Sequence, residues 1–111
     1  MHSPPTRNDE DRVRLSAVLE FVGRRWIGAI LLGLGHGPTR FGEIQRQAPG
    51  LSARMLTVRL RELEAAGLVE RAVEPTMPVT VRYRLTQQGE DLLRSLQGLA
   101  DYGRRWGLPA G

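Results

Sequence analysis

Cysteine is absent from the chain, and so is lysine. The first absence excludes disulfides, cysteine-based zinc sites and a thiol redox switch within this sequence. The second leaves all sixteen basic residues as arginine, a bias that a genome rich in G and C produces through its codons. It has a physical consequence, because a guanidinium fork bonds a phosphate or a guanine edge at two points and an ammonium does not. Histidine is scarce: His2 and His36 are too few and too far apart for a histidine-based metal cluster. No apolar run approaches the ~20 residues that span a bilayer. The start, MHSPPTRNDEDR, lacks both the apolar block of a signal peptide and the acid-poor character of a transit sequence, so a cytoplasmic location without membrane contact is expected. Phosphate loops, nucleophile elbows and metal boxes are missing as well. No cofactor and no enzymatic activity are therefore expected.

What remains is an ordinary globular composition, with 41% hydrophobic and 25% charged residues, a net charge of +4 and a pI near 10.9. A chain of 111 residues suits one domain. Residues 1–8, with Pro4 and Pro5 and no apolar periodicity, are expected to be a disordered arm. Residues 9–107 form the domain and 108–111 a short tail. From about Asp9 a helix is predicted, with acidic residues at its start and a stripe of Leu15, Val18, Leu19 and Val22, ending near Gly23. Arg24 and Arg25 are expected to open a second helix, whose Trp26, Ile27, Ile30, Leu31 and Leu34 cover a wide arc and should be central. After the Gly35-His36-Gly37-Pro38 loop, Thr39-Arg40 is an extended pair that could add a short strand.

The stretch from Phe41 to Gly67 organises the rest. Phe41, Ile44 and Ala48 give a short helix that Pro49 and Gly50 stop. Ser52 is a good N-cap for the next helix, which carries Leu56, Leu60 and Leu63 and ends at Gly67. This is a helix-turn-helix pattern. The period then changes to two. Leu68–Glu74 and Thr80–Leu85 alternate as two antiparallel strands joined by a proline-bearing loop, which makes a wing. Thr86 caps a last helix carrying Leu92, Leu93, Leu96, Leu99 and Trp106. Gly98 and Gly103 each weaken it by ~1 kcal/mol, so its persistence points to packing from a second subunit. The expected class is mainly α with a small antiparallel β-wing (α+β), a winged helix-turn-helix dimerising through its first and last helices.

Taking Leu56 as the core direction and advancing ~100° per residue puts Arg54, Thr57, Val58, Arg61 and Ala65 on the outer side of the second helix. Arg54 and Arg61 could donate twice to guanine, and Thr57 and Val58 could touch a thymine methyl. Acidic residues come only later, at Glu62 and Glu64, which keeps the N-terminal turns free of carboxylates. On the second strand Arg82 and Arg84 share one face and are expected to be free to meet phosphates, with Thr80 beside them. Arg40 and Arg46 sit on or near the helix that crosses the backbone in this motif. Other prominent residues have plainer explanations. Arg54, Arg59 and Arg61 could be a solvated face, His36 a solvated loop residue, and Glu43 and Glu62 surface ion-pair members. Trp26 and Trp106 could line an effector pocket, though packing anchors are the better expectation.

The runs Arg25–Leu31, Arg40–Arg46, Leu51–Thr57, Leu60–Val69 and Val81–Gly89, in that order, resemble the HxlR family of bacterial winged-helix transcriptional regulators. The resemblance implies a homodimer on double-stranded DNA, with Ser52, Ala53, Arg54, Thr57, Val58 and Arg61 on the groove-reading helix and Leu15, Leu19, Leu96, Leu99 and Trp106 at the dimer contact. It implies repression rather than activation and an inverted-repeat operator, and leaves room for a small-molecule effector of unidentified chemistry. Many members carry a sensing cysteine before or in the first helix; this chain has none, so thiol sensing is not expected. An acidic residue is common before the wing tyrosine, where Arg82 stands, which implies a more basic wing. The competing expectation is a winged-helix interaction module whose basic face binds an acidic protein.

Overall fold

Seven elements make up the chain in the computed structural model, which describes Pro4 and residues 6–109: α1 (Arg7–Val22), α2 (Ile27–Leu34), α3 (Phe41–Gln47), α4 (Ala53–Ala65), β1 (Val69–Glu74), β2 (Thr80–Leu85) and α5 (Gln87–Arg105). The arrangement is a winged helix-turn-helix. Half of the expected arm, residues 1–3 and 5, lies outside the described residues, and Arg7 and Asn8 already belong to α1. Thr6 starts that helix early through a capping box with Asp9, each residue satisfying a backbone N–H of the other.

The core forms where the apolar stripes converge. Ile27, Ile30, Leu31 and Leu34 of α2 pack with Ile44 of α3, Leu56, Leu60 and Leu63 of α4, and Leu68 and Val69 at the entry to the wing. Each fully buried leucine or isoleucine contributes about 1.5–3 kcal/mol relative to exposure, so α2 is held from several sides. Leu51 plugs the turn between α3 and α4. Ser52 caps α4 by accepting from the Met55 N–H at 3.1 Å. Gly67 follows α4 with φ +79°, a left-handed turn that an L side chain rarely adopts. That turn delivers the chain directly into β1.

The wing strands pair antiparallel from Val69 opposite Leu85 to Glu74 opposite Thr80. Thr39 forms an isolated bridge with Tyr83 through two backbone hydrogen bonds of 2.9 and 2.8 Å, tying the segment before α3 to the root of the wing. Thr86 then caps α5, accepting from Gly89 N–H and donating its own hydroxyl to the Gly67 carbonyl at 2.6 Å. The two ends of the wing and both long helices that meet there are thus fastened at one junction.

Two features depart from the expected outline. Arg24, Arg25 and Trp26 do not open α2; they form a turn in which Trp26 has φ +79°, and the helix starts at Ile27. A left-handed non-glycine residue costs on the order of 1–3 kcal/mol and needs support from its surroundings. Arg59 of α4 supplies it by donating Nε–H to the Arg25 carbonyl at 2.8 Å. In addition, α1 buries none of its side chains. The radius of gyration of the chain, 16.7 Å, exceeds the ~13 Å of a compact domain this size, in keeping with the exposure of α1 and of the far half of α5. Among the described residues no helix is long and apolar enough to cross a membrane.

Candidate nucleic-acid interface

The residues expected to read DNA lie together on α4. Ser52, Ala53, Arg54, Val58 and Arg61 are exposed and Thr57 is half-buried. Leu56, Leu60 and Leu63 hold the opposite side in the core, so the outer face cannot rotate inward without losing about 2 kcal/mol or more per leucine. The first turn carries no acidic residue. Thr57 donates its hydroxyl to the Ala53 carbonyl at 2.9 Å. That bond occupies the side chain's one polar hydrogen, so toward any other group its hydroxyl can only accept.

Ion pairing sorts the arginines by place. On α1, Arg7, Arg12 and Arg14 each lie within reach of an aspartate or glutamate of the same helix. On α5, Arg94 pairs with Asp91 and Arg104 with Asp101. Among the described residues Arg40, Arg46, Arg54, Arg61 and Arg71 have no carboxylate partner in the same sense, and all five fall in the segment that holds the helix-turn-helix and the first wing strand. Outside it, Arg25 stacks over the Trp26 ring at 4.8 Å instead of pairing, and Arg105, in the last turn of α5, is the other arginine without a carboxylate among the described residues. Uncompensated guanidinium groups are therefore concentrated where a polyanion would lie. Arg40 is the N-cap of α3 and Arg46 lies in its last turn; both are exposed.

Arg59 does not belong to this outer face. Its side chain is only 16% exposed and its NH1 bonds Glu62 at 2.9 Å. Glu62 also holds Arg24 at 3.2 Å, so the three residues and the Arg25 carbonyl form a network that fastens α4 to the turn between α1 and α2. Glu62 is thus an ion-pair member, as its sequence context suggested.

The wing corrects a second expectation. Arg82 and Arg84 share a face, as alternation requires, but they are not free: Arg84 Nε bonds Glu70 at 2.7 Å and Arg82 Nε bonds Glu74 at 3.0 Å. The cause is the register, which sets Glu70 directly opposite Arg84 and Glu74 diagonal to Arg82 on the same face. Thr80 is engaged too. Thr76 donates to the Pro78 carbonyl at 2.7 Å, so the 3.1 Å contact between the two hydroxyls uses the Thr80 proton. Arg71 has no sequence-assigned role because it alternates with Val69 and Val73, yet it is the wing arginine without a carboxylate. Reading each strand alone hides these pairings, whereas counting outward from the five-residue loop 75–79 reveals them.

The residues expected at a dimer contact are exposed in the single chain. Leu15, Leu19, Leu99 and Trp106 are all at least 47% exposed, while Leu96 packs against the edge of the core. Between α1 and the start of α5 runs an open apolar groove of about 570 Å³, lined in part by Leu15, Val18, Phe21 and Leu92.

Comparison with known proteins agrees with this architecture. A family model described as an HxlR-like helix-turn-helix matches residues 21–110. An HTH-type transcriptional regulator of Methanothermobacter thermautotrophicus is 37% identical over 100 residues, spanning 90% of this chain and 76% of that one. The reduced form of the transcriptional regulator YodB from Bacillus subtilis is similar in structure, with a TM-score of 0.78 and 34% identity over 100% of both chains. The redox regulator HypR in its oxidised form gives a TM-score of 0.76 and 35% identity over 83% of this chain and 95% of that one. Sharing the helix-turn-helix, the wing and the flanking helices with these regulators, the chain belongs to the HxlR-like family of winged-helix, DNA-binding transcriptional regulators.

Proposed function

We propose that the protein acts as a homodimeric repressor that binds an inverted-repeat operator in double-stranded DNA. The observation that carries this reading is the set of partner-free arginines gathered on α3, the outer face of α4 and the wing. In it, α4 enters the major groove; Arg54 and Arg61 donate to guanine edges, and Ser52, Ala53, Thr57 and Val58 line the approach to bases and phosphates. Arg40, Arg46 and Arg71 contact the backbone and set the register of the helix in the groove. Arg82, Arg84 and Thr80 stand beside the same backbone but must first give up their internal partners.

Dimerisation is supported by unsatisfied apolar surface. Leu15 is 58% exposed and Trp106 68%, and the groove between α1 and α5 is lined by Leu15 and Val18 of the one stripe and Leu92 of the other. A stripe of this kind along a 16-residue helix with no buried side chain marks an interaction surface. Two copies related by a two-fold axis present two α4 helices to successive major grooves, about 10 bp or a small multiple apart. Regulation acts through something other than a thiol, because the sequence contains no cysteine.

Binding titrations on duplex DNA at several salt concentrations test the reading. If the dimer makes ~6–10 phosphate contacts, affinity falls by roughly 10³–10⁵ between 50 and 200 mM salt. Arg54→Ala costs ~1–3 kcal/mol on the selected site and relaxes one operator position. A protein that binds acidic polypeptide but is not retained on duplex at low salt refutes it.

A further inference from the structure

The wing carries two glutamates where a purely DNA-gripping hairpin has no use for them. Glu70 and Glu74 lie on the same face as Arg82 and Arg84, and each holds one arginine through its Nε at 2.7 or 3.0 Å. All four side chains remain partly open to solvent, between 31% and 52% exposed. Exposed pairs of this kind are weak, so a phosphate can displace the carboxylate. Displacement does not remove the carboxylate, however; it stays within the Debye length of the incoming phosphate and repels it.

We propose that Glu70 and Glu74 act as an electrostatic brake on the wing, lowering its grip on duplex DNA of any sequence. This rests on the DNA-binding reading above and assigns a role to residues of that same site. Phosphate contacts carry no sequence information, whereas base contacts do. Holding the wing arginines in internal pairs therefore shrinks the sequence-independent part of the affinity and leaves a larger share to Arg54 and Arg61. It also shortens residence on arbitrary DNA, since non-specific binding is almost wholly electrostatic. Arg71, which has no carboxylate partner among the described residues and lies on the other face of the hairpin opposite Tyr83, is outside the brake.

The test compares the full-length protein with Glu70→Gln, Glu74→Gln and the double variant, on a non-specific duplex and on a selected operator across a salt series. Each substitution is expected to raise affinity about two- to fivefold on both duplexes and to steepen the dependence of log K on log salt by about 0.9 for each arginine released. Arg84→Ala leaves Glu70 unopposed and is expected to weaken binding about two- to fivefold, whereas the Glu70→Gln/Arg84→Ala double variant, with the pair neutral again, is expected to bind within about twofold of the unmodified protein. Glu20→Gln makes the same change in net charge on exposed α1 and serves as the control. Thermal melting establishes that each variant is folded, and Glu74→Gln stands as an independent arm should Glu70→Gln unfold. Unchanged or weakened binding in the folded glutamate variants overturns the proposal, as does an equal gain from Glu20→Gln. Failure of the unmodified protein to bind any duplex overturns the DNA-binding reading instead, so the two failures are distinguishable.

Discussion

Arg59→Met should destabilise the protein by about 2 kcal/mol, whereas the same change at Arg54 or Arg61 should leave its stability within about 0.5 kcal/mol. The magnitude follows from what the Arg59 guanidinium holds. Its Nε donates to the Arg25 carbonyl at 2.8 Å and its NH1 to Glu62 at 2.9 Å, in a side chain only 16% exposed. A charge-assisted hydrogen bond in such a setting contributes about 1.5–3 kcal/mol and an ion pair still open to solvent up to ~1 kcal/mol. Water can replace part of the first, since Arg25 is exposed, and Arg24 still holds Glu62 at 3.2 Å. Methionine keeps the apolar stem, so packing loss is small. An entropy of unfolding near 2.1 cal/mol/K per residue converts 2 kcal/mol into a fall in Tm of roughly 8 °C. Differential scanning calorimetry at one fixed protein concentration reads this directly, the concentration being held because a dimer melts in a concentration-dependent way. DNA titration should show the opposite order, with Arg54→Met losing affinity while Arg59→Met, below its melting range, changes it little. An Arg59→Met protein that melts with the unmodified one and loses operator binding as severely as Arg54→Met would refute the division of labour on α4.

Other perturbations probe other joints. Gly89→Ala should lower stability by about 1–3 kcal/mol despite alanine's higher helix propensity, because an added Cβ meets the Leu68 carbonyl oxygen where α5 crosses the start of the wing; a denaturant melt measures it, and a stabilised variant would contradict the packing at that junction. Leu19→Asp and Leu99→Asp, on exposed surfaces of α1 and α5, should weaken self-association at least about tenfold in sedimentation equilibrium while leaving the core intact, since placing even one charge per subunit in an apolar contact costs more than ~1.4 kcal/mol. Unaltered association in both variants would move the dimer contact elsewhere. Ser52→Ala should cost about 0.5–2 kcal/mol through loss of the α4 cap, and its melting curve would show no loss if the 3.1 Å bond to the Met55 N–H were dispensable.

Much of the fold was legible because its signals are local. Ser52 and Thr86 cap the helices that follow them, and the change of period after Gly67 marks the wing. These depend on residues within a turn of each other. The outer face of α4 was equally legible, since three leucines at helical spacing leave only one side for Arg54, Val58 and Arg61. What was missed depends on partners distant in the chain. The start of α2 is decided by a bond from Arg59 to Arg25, 34 residues away, and an apolar arc running through Trp26 carries no sign of it. Arg59 lies three positions after Leu56, only about 60° from the core direction, and that angle was the available hint that it is no surface arginine. The state of Arg82 and Arg84 depends on strand register, a property of the pair of strands and not of either one. The stripe on α1 was visible, but whether it is covered depends on a second molecule.

Selection of bound fragments from the source genome, followed by footprinting of the strongest one, tests the central claim most directly. The account predicts two protected half-sites related by a two-fold axis, with centres about 10 bp or a small multiple apart, and loss of protection with Arg54→Ala and Arg61→Ala. No enrichment of duplex fragments, or a single unsymmetrical footprint indifferent to both arginines, would contradict it.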